Sequence, residues 1–303
     1  LFYSLWQPLP LPLALPPFRP AVAADPEPLK CADVAAALRK AVDFFTGEVS
    51  TEGGYLWQYS ADLSLREGEG RATDRQVWIQ PPGTPSVGDA LLAVYHDTGD
   101  RRYLEAARRA GMCLVRGQFV SGGWTYRVEF DPDKRDRYAY RVDVDSAEGR
   151  RNTSTLDDDT TQSALAFLIR LDQALDMEDE AVHEAVSYGL AKVLATQYPI
   201  GAWPQRFDGP APAEEDCPVC KASYPDEWSR TWPRTGYGHC YTLNDNAIAD
   251  VVGLMLQAAE AYGDDRYRRA AERAGDFLLM AQMPEPQPAW CQQYNLEMQP
   301  AWA

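Results

Sequence analysis

A thirteen-residue segment occurs twice in this chain, and this repeat constrains the fold more than any other feature. Residues 99–111 read GDRRYLEAARRAG and residues 263–275 read GDDRYRRAAERAG, with nine identical positions. Short turns that end in an aromatic residue recur as well, at Gly53-Gly54-Tyr55, Gly122-Gly123-Trp124, Gly201-Ala202-Trp203 and Pro288-Ala289-Trp290. The spacing indicates a unit of about 80 residues, which is two helices and a turn. A helix pair of this size cannot bury its apolar face alone, so neighbouring pairs must stack on one another.

Apolar periodicity predicts three helical hairpins and one further helix. The predicted pairs are 85–97 with 101–116, 157–175 with 179–196, and 244–262 with 266–281, and the lone helix is 32–45. Within 163–175 the apolar residues recur mostly at steps of three and four, as one buried helix face requires. Strand alternation is nearly absent. We therefore predict an all-α fold, an (α/α)3 toroid-like barrel built from helical hairpin repeats, in which the lone helix completes one hairpin.

The composition sets the domain organisation. A chain of 303 residues with 45% hydrophobic content can form one large core, and the continuity of the repeat favours a single domain over residues 25–303. Residues 1–24 differ, because a Leu/Pro-rich run there ends in a small-residue pattern typical of a signal-peptidase site. We interpret this segment as a signal-peptide remnant or an N-terminal linker. The first interpretation predicts a secreted or periplasmic protein, and we expect a soluble monomer with no membrane partner.

The net charge of −16 excludes one class of function and complicates another. Nucleic-acid binding needs clustered Lys and Arg against the phosphates, so we expect no nucleic-acid partner. An anionic ligand is also unfavourable beside such a chain unless a cation lies between them.

Three consecutive carboxylates stand in residues 155–162, TLDDDTTQ, at the start of a predicted helix. Helix capping and the helix dipole account for one or two of them. The third increases the repulsion, and oxygen-rich clusters of this kind bind hard cations such as Ca²⁺. Capping and metal or substrate binding are therefore both open interpretations.

Residues 234–246, RTGYGHCYTLNDN, precede the last predicted hairpin, at the position that 155–162 holds one unit earlier. The repeat therefore predicts that the two segments face each other. Asn244 and Asp245 are good helix caps, and Arg234 alone is typical of a surface residue or an ion pair. Tyr237 and His239 are either structural or able to carry protons.

The aromatic residues of the turns allow two interpretations. They are Tyr55, Trp57, Trp124, Tyr126, Trp203, Phe207, Trp290 and Tyr294. Each either packs in the core or offers its ring to a sugar, with Gln205, Gln292 and Gln293 nearby for sugar hydroxyls. The sequence alone does not divide the residues between these roles.

Four residues in and just after a Pro-rich insertion have the spacing of a structural metal site. Two residues separate Cys217 from Cys220, and His239 and Cys240 follow later in the chain. A structural Zn²⁺ site is therefore one interpretation. A disulfide in an exported protein and free thiols are the other two. Cys31, Cys113 and Cys291 lie apart, and we expect Cys113 to be a small buried residue of a helix.

Four segments resemble, in the same order, the motifs of the pectic acid lyases of polysaccharide lyase family 10. They are TLDDDTTQ, QYPIGAWPQRF, TLNDNAI and PAWCQQYNLEMQPAWA. The resemblance is firm over residues 155–303, whereas residues 31–130 share only the general helical repeat. It implies an (α/α)3 toroid that cleaves polygalacturonate by β-elimination with Ca²⁺ as cofactor, and hence an anionic polysaccharide as partner.

The resemblance also implies roles for individual residues. Asp157 and Asp158 would bind Ca²⁺ and, through it, a uronate carboxylate, and Arg234 would act as the base, with Arg206 as the reserve candidate. The residues implied to contact substrate are Asp158, Trp203, Arg206, Tyr237, Asn244, Asp245 and Gln292. Because a guanidinium is protonated under ordinary conditions, an arginine base requires a nearby cation and partial desolvation.

Two departures and two rival functions stand beside this resemblance. The Cys-bearing insertion is not typical of the family, and the chain ends at Ala303, where the family continues with an arginine, so we expect a truncated C-terminus and weaker substrate binding. One rival is a glycan-binding module without catalysis. The other is a terpene-cyclase-like toroid, because residues 197–203 fit the Q-x-x-x-G-x-W turn of those enzymes. Leu156 argues against it, since the protonating motif of those enzymes has an Asp there.

Overall fold

The computed structural model describes residues 30–228 and 236–301. Its helices are α1 (Cys31–Phe44), α2 (Thr84–Thr98), α3 (Arg101–Gly117), α4 (Pro132–Arg135), α5 (Thr160–Ala174), α6 (Glu180–Ala195), α7 (Ala247–Tyr262) and α8 (Asp265–Ala281). A π-helical segment, Phe45–Val49, follows α1, and 3₁₀ turns lie at Asp157–Asp159, Glu214–Asp216 and Asn244–Asn246. The strands are β1 (Gln58–Tyr59), β2 (Arg66–Glu67), β3 (Gln76–Trp78), β4 (Arg127–Glu129), β5 (Ser154–Thr155), β6 (Arg206–Phe207), β7 (Tyr241–Thr242) and β8 (Gln293–Tyr294).

The chain divides into two compact units, and the described part of the first is residues 30–41, which include most of α1. The second unit, Val42–Ala303, contains the three predicted hairpins α2/α3, α5/α6 and α7/α8. In this unit α5 packs between α2 and α7, and α3 packs against α6. The all-α prediction of an (α/α) barrel built from hairpins is thereby confirmed. None of the helices in the described ranges is long and apolar enough to cross a membrane.

The repeated Gly-Asp pair forms the junction inside a hairpin. Gly99 ends α2 with a φ of 68° and Gly263 ends α7 with a φ of 65°, which is the left-handed conformation that stops a helix. The following Asp100 and Asp264 accept hydrogen bonds from the backbone N–H groups of Arg102 and Arg266, at 3.1 and 2.9 Å. The start of the repeat is therefore a C-cap followed by an N-cap.

Each hairpin is closed by a short antiparallel strand pair. The strand that precedes the first helix pairs with the strand that follows the second, which gives β3–β4, β5–β6 and β7–β8. The three hairpins are thus three copies of one strand–helix–helix–strand module.

The tryptophans of the turns differ in burial but bond to the helices in the same way. Trp124 and Trp203 are 0% and 1% exposed, and their indole N–H groups donate to the carbonyls of Leu114 and Val193, both at 2.9 Å. These bonds satisfy carbonyls near the C-terminal ends of α3 and α6. Trp290 makes the equivalent bond to Leu278 at 2.8 Å but is 51% exposed. The core interpretation therefore holds for Trp124 and Trp203.

In two of these turns a glycine packs directly against the backbone of a helix. Gly201 has a φ of 100°, and a Cβ there would lie 2.1 Å from the carbonyl oxygen of Arg273 in α8. Gly53 does the same against Arg109 of α3, with a φ of 85° and a distance of 2.3 Å. Only a residue without a Cβ allows this approach, because any side chain would overlap the helix backbone.

Candidate functional site

The acidic motif and its counterpart one module later adopt the same backbone conformation. Asp158 has φ 49° and ψ 39°, and Asp245 has φ 49° and ψ 36°. The next residues, Asp159 and Asn246, are also left-handed, with φ of 55° and 59°. Among non-glycine residues, Asp and Asn tolerate this conformation best, which explains why the two segments read DDD and NDN. The two 3₁₀ turns contact each other, so the predicted facing of the segments is confirmed.

This arrangement brings three carboxylates together. One carboxylate oxygen from each of Asp157, Asp158 and Asp245 lies within 4.8 Å of the other two, and we call these residues the acidic trio. Asp157 is 9% exposed, Asp158 is half-buried and Asp245 is exposed. Carboxylate oxygens are the donors that Ca²⁺ prefers, so the residues present fit this ion. They leave its remaining coordination positions to water or to a ligand carboxylate.

The electrostatics of the trio favour a cation. Partial burial raises the pKa of Asp158, and the negative charges of Asp157, Asp245 and Glu69 raise it further. Three negative charges at this separation repel one another, and a divalent ion among them would reverse the sign of that interaction.

Two hydrogen-bond donors orient the trio, and neither was assigned to the site from the sequence. The Tyr126 hydroxyl donates to Asp157 Oδ2 at 2.7 Å, and Gln80 Nε2 donates to Asp158 Oδ2 at 2.9 Å. Gln80 is itself held by the indole N–H of Trp78, which donates to Gln80 Oε1 at 3.0 Å. Burial raises the pKa of Tyr126, and its bond to the Asp157 carboxylate raises it further, so Tyr126 stays a donor.

The position of Gln80 in the repeat could have identified it. It follows β3 in the first module, as Asp157 follows β5 and Asn244 follows β7. Each module thus contributes a polar residue to the same centre from the segment between its first strand and its first helix.

The third module surrounds Asp245 with several polar residues. Asn244 Nδ2 donates to Asp245 Oδ2 at 2.6 Å, and Gln293 Nε2 donates to Asn244 Oδ1 at 3.2 Å. The exposed Gln292 accepts two bonds at its backbone carbonyl, from the N–H groups of Leu243 and Asn244 at 2.8 and 3.0 Å. Asn244, Asp245 and the backbone of Gln292 therefore lie close together.

The reserve arginine also borders the trio. Arg206 lies in β6 opposite Thr155, and its guanidinium is close enough to Tyr126 to lower the pKa of that hydroxyl in part. The backbone N–H of Arg206 donates to the carbonyl of Gly238 at 2.8 Å, which brings the half-buried Tyr237 and its turn to the same edge. Arg234 lies outside the described residues.

Two sequence predictions are corrected by the structure. Trp203 is buried in the core and has no ring face to offer a sugar, so it is not a substrate contact. All six cysteines are free thiols, and in the described ranges the acidic trio alone gathers three or more acidic, His or Cys ligands closely enough for a metal ion. Cys217, Cys220, His239 and Cys240 therefore form neither the zinc site nor the disulfide. Cys217 is buried whereas His239 is exposed, and Cys220 Sγ instead donates to the Glu297 carbonyl at 3.7 Å.

The stacked helical hairpins define a helical toroid of the (α/α) class. The acidic trio lies where the first helices of these hairpins begin. The family model of pectic acid lyases matches residues 135–301, just over half of the chain. The chain therefore belongs to the pectic acid lyase family, as the four motifs predicted. No curated protein sequence matches the chain significantly.

Solved structures are similar to this chain over most of its length. A cellobiose 2-epimerase from Spirochaeta thermophila has 15% identity and a TM-score of 0.50, over 90% of this chain and 59% of that one. A possible GH105 member from Klebsiella pneumoniae has 14% identity and a TM-score of 0.50, over 88% and 60%. A mutant family 10 polysaccharide lyase from Cellvibrio cellulosa, in complex with trigalacturonic acid, has 18% identity and a TM-score of 0.42, over 70% and 57%. The match thus spans less than two thirds of each of these proteins, and the first two support the fold.

Proposed function

We propose that this protein is a polysaccharide lyase that cleaves polygalacturonate or a related polyuronate by calcium-assisted β-elimination. The observation that carries the proposal is the acidic trio, in a chain of the pectic acid lyase family. A polymer of this kind lies outside the cell, which fits a secreted or periplasmic enzyme.

The reaction removes a proton next to a group that is already negative. A base takes the C5 proton of a uronate, the electron pair forms the C4=C5 double bond, and the oxygen at C4 leaves and takes up a proton. Charge develops beside the carboxylate in the transition state, and stabilisation at that point accelerates the step. Ca²⁺ supplies this stabilisation when it is bound, by neutralising the carboxylate as a Lewis acid.

The residues at and around the trio have distinct tasks in this proposal. Asp157, Asp158 and Asp245 would hold the ion, and Tyr126 and Gln80 would keep two of the carboxylates in orientation through their hydrogen bonds. Asn244 and Gln292 would offer hydrogen bonds to sugar hydroxyls, since both lie at the trio and are not buried.

Two arginines are candidates for the base. The resemblance assigns this role to Arg234, and the contact of Arg206 with Tyr126 keeps Arg206 in reserve or as a carboxylate ligand. A neutral guanidine requires a nearby positive charge and partial desolvation, which a metal-loaded trio would provide. Replacement by lysine separates the two residues, because at the base it should mainly lower kcat, whereas at a carboxylate ligand it should mainly raise KM.

The decisive experiment follows the ultraviolet absorbance of the unsaturated product. The protein is incubated with a panel of polyuronates, first with Ca²⁺ and then with a chelator. We expect product with polygalacturonate in the presence of Ca²⁺, and loss of activity in Asp157→Asn and in the chelated sample. Asp276→Asn, an exposed carboxylate of α8, is the matched control. Calcium-dependent binding without product would instead indicate a glycan-binding module.

A further inference from the structure

A cavity of about 970 Å³ adjoins the acidic trio on the side of Tyr126. Tyr126 lines this cavity and at the same time donates to Asp157, and Trp78 lines it while holding Gln80 against Asp158. The cavity and the trio therefore share a wall, and a polymer that lies at the trio can extend into the cavity.

Three arginines line this cavity, and we call it the arginine cleft. Arg127 lies in β4, and Arg150 and Arg151 lie in the connection from β4 to β5. All three are exposed, and in the part of the chain that the structure describes none of them forms an ion pair with a carboxylate. Two other arginines of the same connection, Arg135 and Arg141, are paired with carboxylates.

The unpaired arginines place positive charge in one cavity of a chain whose net charge is strongly negative. The protein has a net charge of −16, yet three arginines line one cavity together with only two acidic residues, Glu69 and Asp208. Glu69 belongs to the end of the cleft near the trio, because its charge acts on Asp158. Guanidinium groups bind carboxylates through two parallel hydrogen bonds, so the cleft has the chemistry of a carboxylate site.

Neighbouring contacts hold the cleft in shape. Arg150 Nε donates to the Asp136 carbonyl at 2.9 Å, and the Arg151 guanidinium lies 5.7 Å from the ring centre of Tyr138. Tyr138 in turn stacks on Tyr140 with ring centres 5.4 Å apart. Side chains that are already held by such contacts lose less entropy when a ligand binds.

We infer that the arginine cleft binds the carboxylates of uronate units next to the one held at the trio. This inference rests on the proposed function and adds a second carboxylate-binding site to it, which a chain of uronate units occupies only when it is long enough to reach from the trio into the cleft. The trio then attracts the reacting unit through a cation, and the cleft attracts its neighbours directly through arginine.

The test measures binding in the absence of turnover. Trigalacturonate and hexagalacturonate are titrated into the protein by calorimetry with a chelator present, so that the acidic trio contributes no metal-mediated affinity. The double variant Arg150→Gln, Arg151→Gln is compared with wild type, with Arg101→Gln, an exposed arginine at the start of α3, as the control. A methyl-esterified hexamer serves as the uncharged ligand.

We expect wild type and Arg101→Gln to bind the hexamer, and the double variant to bind it at least about tenfold more weakly, because charge-assisted hydrogen bonds are lost. The double variant Arg150→Lys, Arg151→Lys retains the charge and should recover part of the affinity. The esterified hexamer should bind wild type as weakly as the unesterified hexamer binds the Gln variant. Equal affinity of wild type and the Gln variant for the unesterified hexamer would overturn the inference.

The same titration separates this inference from the proposed function. Arginine-dependent binding together with absent product in the ultraviolet assay would refute lyase activity and leave the carboxylate cleft. Calcium-dependent product together with arginine-independent binding would refute the cleft alone.

Discussion

Asp158 and Asp245 have the same φ of 49° at equivalent positions of successive modules, and one carboxylate oxygen of each lies within 4.8 Å of the other. The left-handed turn that each occupies directs a short acidic side chain towards the other module. The repeat of the same turn in successive modules therefore places like charges side by side. The unfavourable free energy of their repulsion favours the binding of a cation between them.

Removing one charge from the trio should stabilise the metal-free protein and strongly reduce its response to calcium. Asp158→Asn retains a residue that tolerates the left-handed conformation and an oxygen that can accept the bond from Gln80. Because the repulsion among three carboxylates falls, we expect a higher melting temperature without metal.

Calcium at about 100 times its dissociation constant should stabilise wild type by about 2.7 kcal/mol, and the variant by far less. Differential scanning calorimetry with and without Ca²⁺ measures both effects. Asp276→Asn should respond to calcium as wild type does, and an undiminished calcium response in Asp158→Asn would contradict the assignment.

Tyr126→Phe should weaken calcium binding while the fold is retained. The change removes the donor that orients Asp157, and loss of such an outer-shell partner typically costs 10- to 100-fold in metal affinity, so a loss of about that size is expected. Calorimetric titration with Ca²⁺ gives the dissociation constant. Tyr188→Phe is the control, because that hydroxyl donates to the Val120 carbonyl away from the trio. Equal affinities for all three proteins would show that Tyr126 does not position the carboxylate.

Gly201→Ala should destabilise the protein by about 3 kcal/mol or more. The added Cβ would approach the Arg273 carbonyl oxygen to 2.1 Å, and the φ of 100° is unfavourable for any side chain. Gly209→Ala is the matched control, since no atom lies within 4 Å of a Cβ there and its φ is not in the left-handed region. Urea unfolding of the two variants gives the difference, and similar free energies of unfolding would show that the turn moves away from α8 at little cost.

Asp179 links α3 and α6 and should make stability depend on acid pH. Burial alone would raise its pKa, but hydrogen bonds from Arg108 at 2.6 Å and from the backbone N–H of Val182 lower it below its usual value. The ionised form therefore stabilises the folded state fully above the unfolded pKa of about 4, and this contribution is lost as the pH falls through the folded pKa.

The variant Asp179→Asn should accordingly lose about 1–2 kcal/mol at neutral pH and differ less from wild type at about pH 2. Thermal unfolding at both pH values measures the difference. A gap that stays constant across this range would mean that the carboxylate acts as a neutral cap rather than as a charge.

The helices could be predicted because their signal is periodic and local. The predicted bounds differ from the observed ones by no more than three residues at either end of a hairpin helix, and the largest shifts are at the starts of α5 and α7. There the first three residues form a 3₁₀ turn with left-handed Asp158 and Asp245. The same residues carry the acidic trio, so the deviation from helical geometry marks the candidate site.

The remaining features depend on contacts between distant segments. Strands of two or three residues are too short to show alternation, and Gln80 has no acidic neighbour to draw attention to it. Trp203 is buried and its indole N–H donates to the Val193 carbonyl of α6, a contact that the sequence of its own turn does not reveal. The spacing of Cys217 and Cys220 fits a zinc site, but Cys217 is buried and His239 is exposed, which the spacing alone does not reveal.

Because a strand pair fastens the two ends of every hairpin, the long connections from β4 to β5 and from β6 to β7 lie outside these fastened modules. Exposed stretches of these connections can change in length or composition while buried residues such as Tyr140 and Cys217 keep their places in the core. The first carries Arg150 and Arg151, and the second carries Tyr237. Selection could therefore retune which polymers such a scaffold accepts by editing its connectors, and inherit the barrel unaltered.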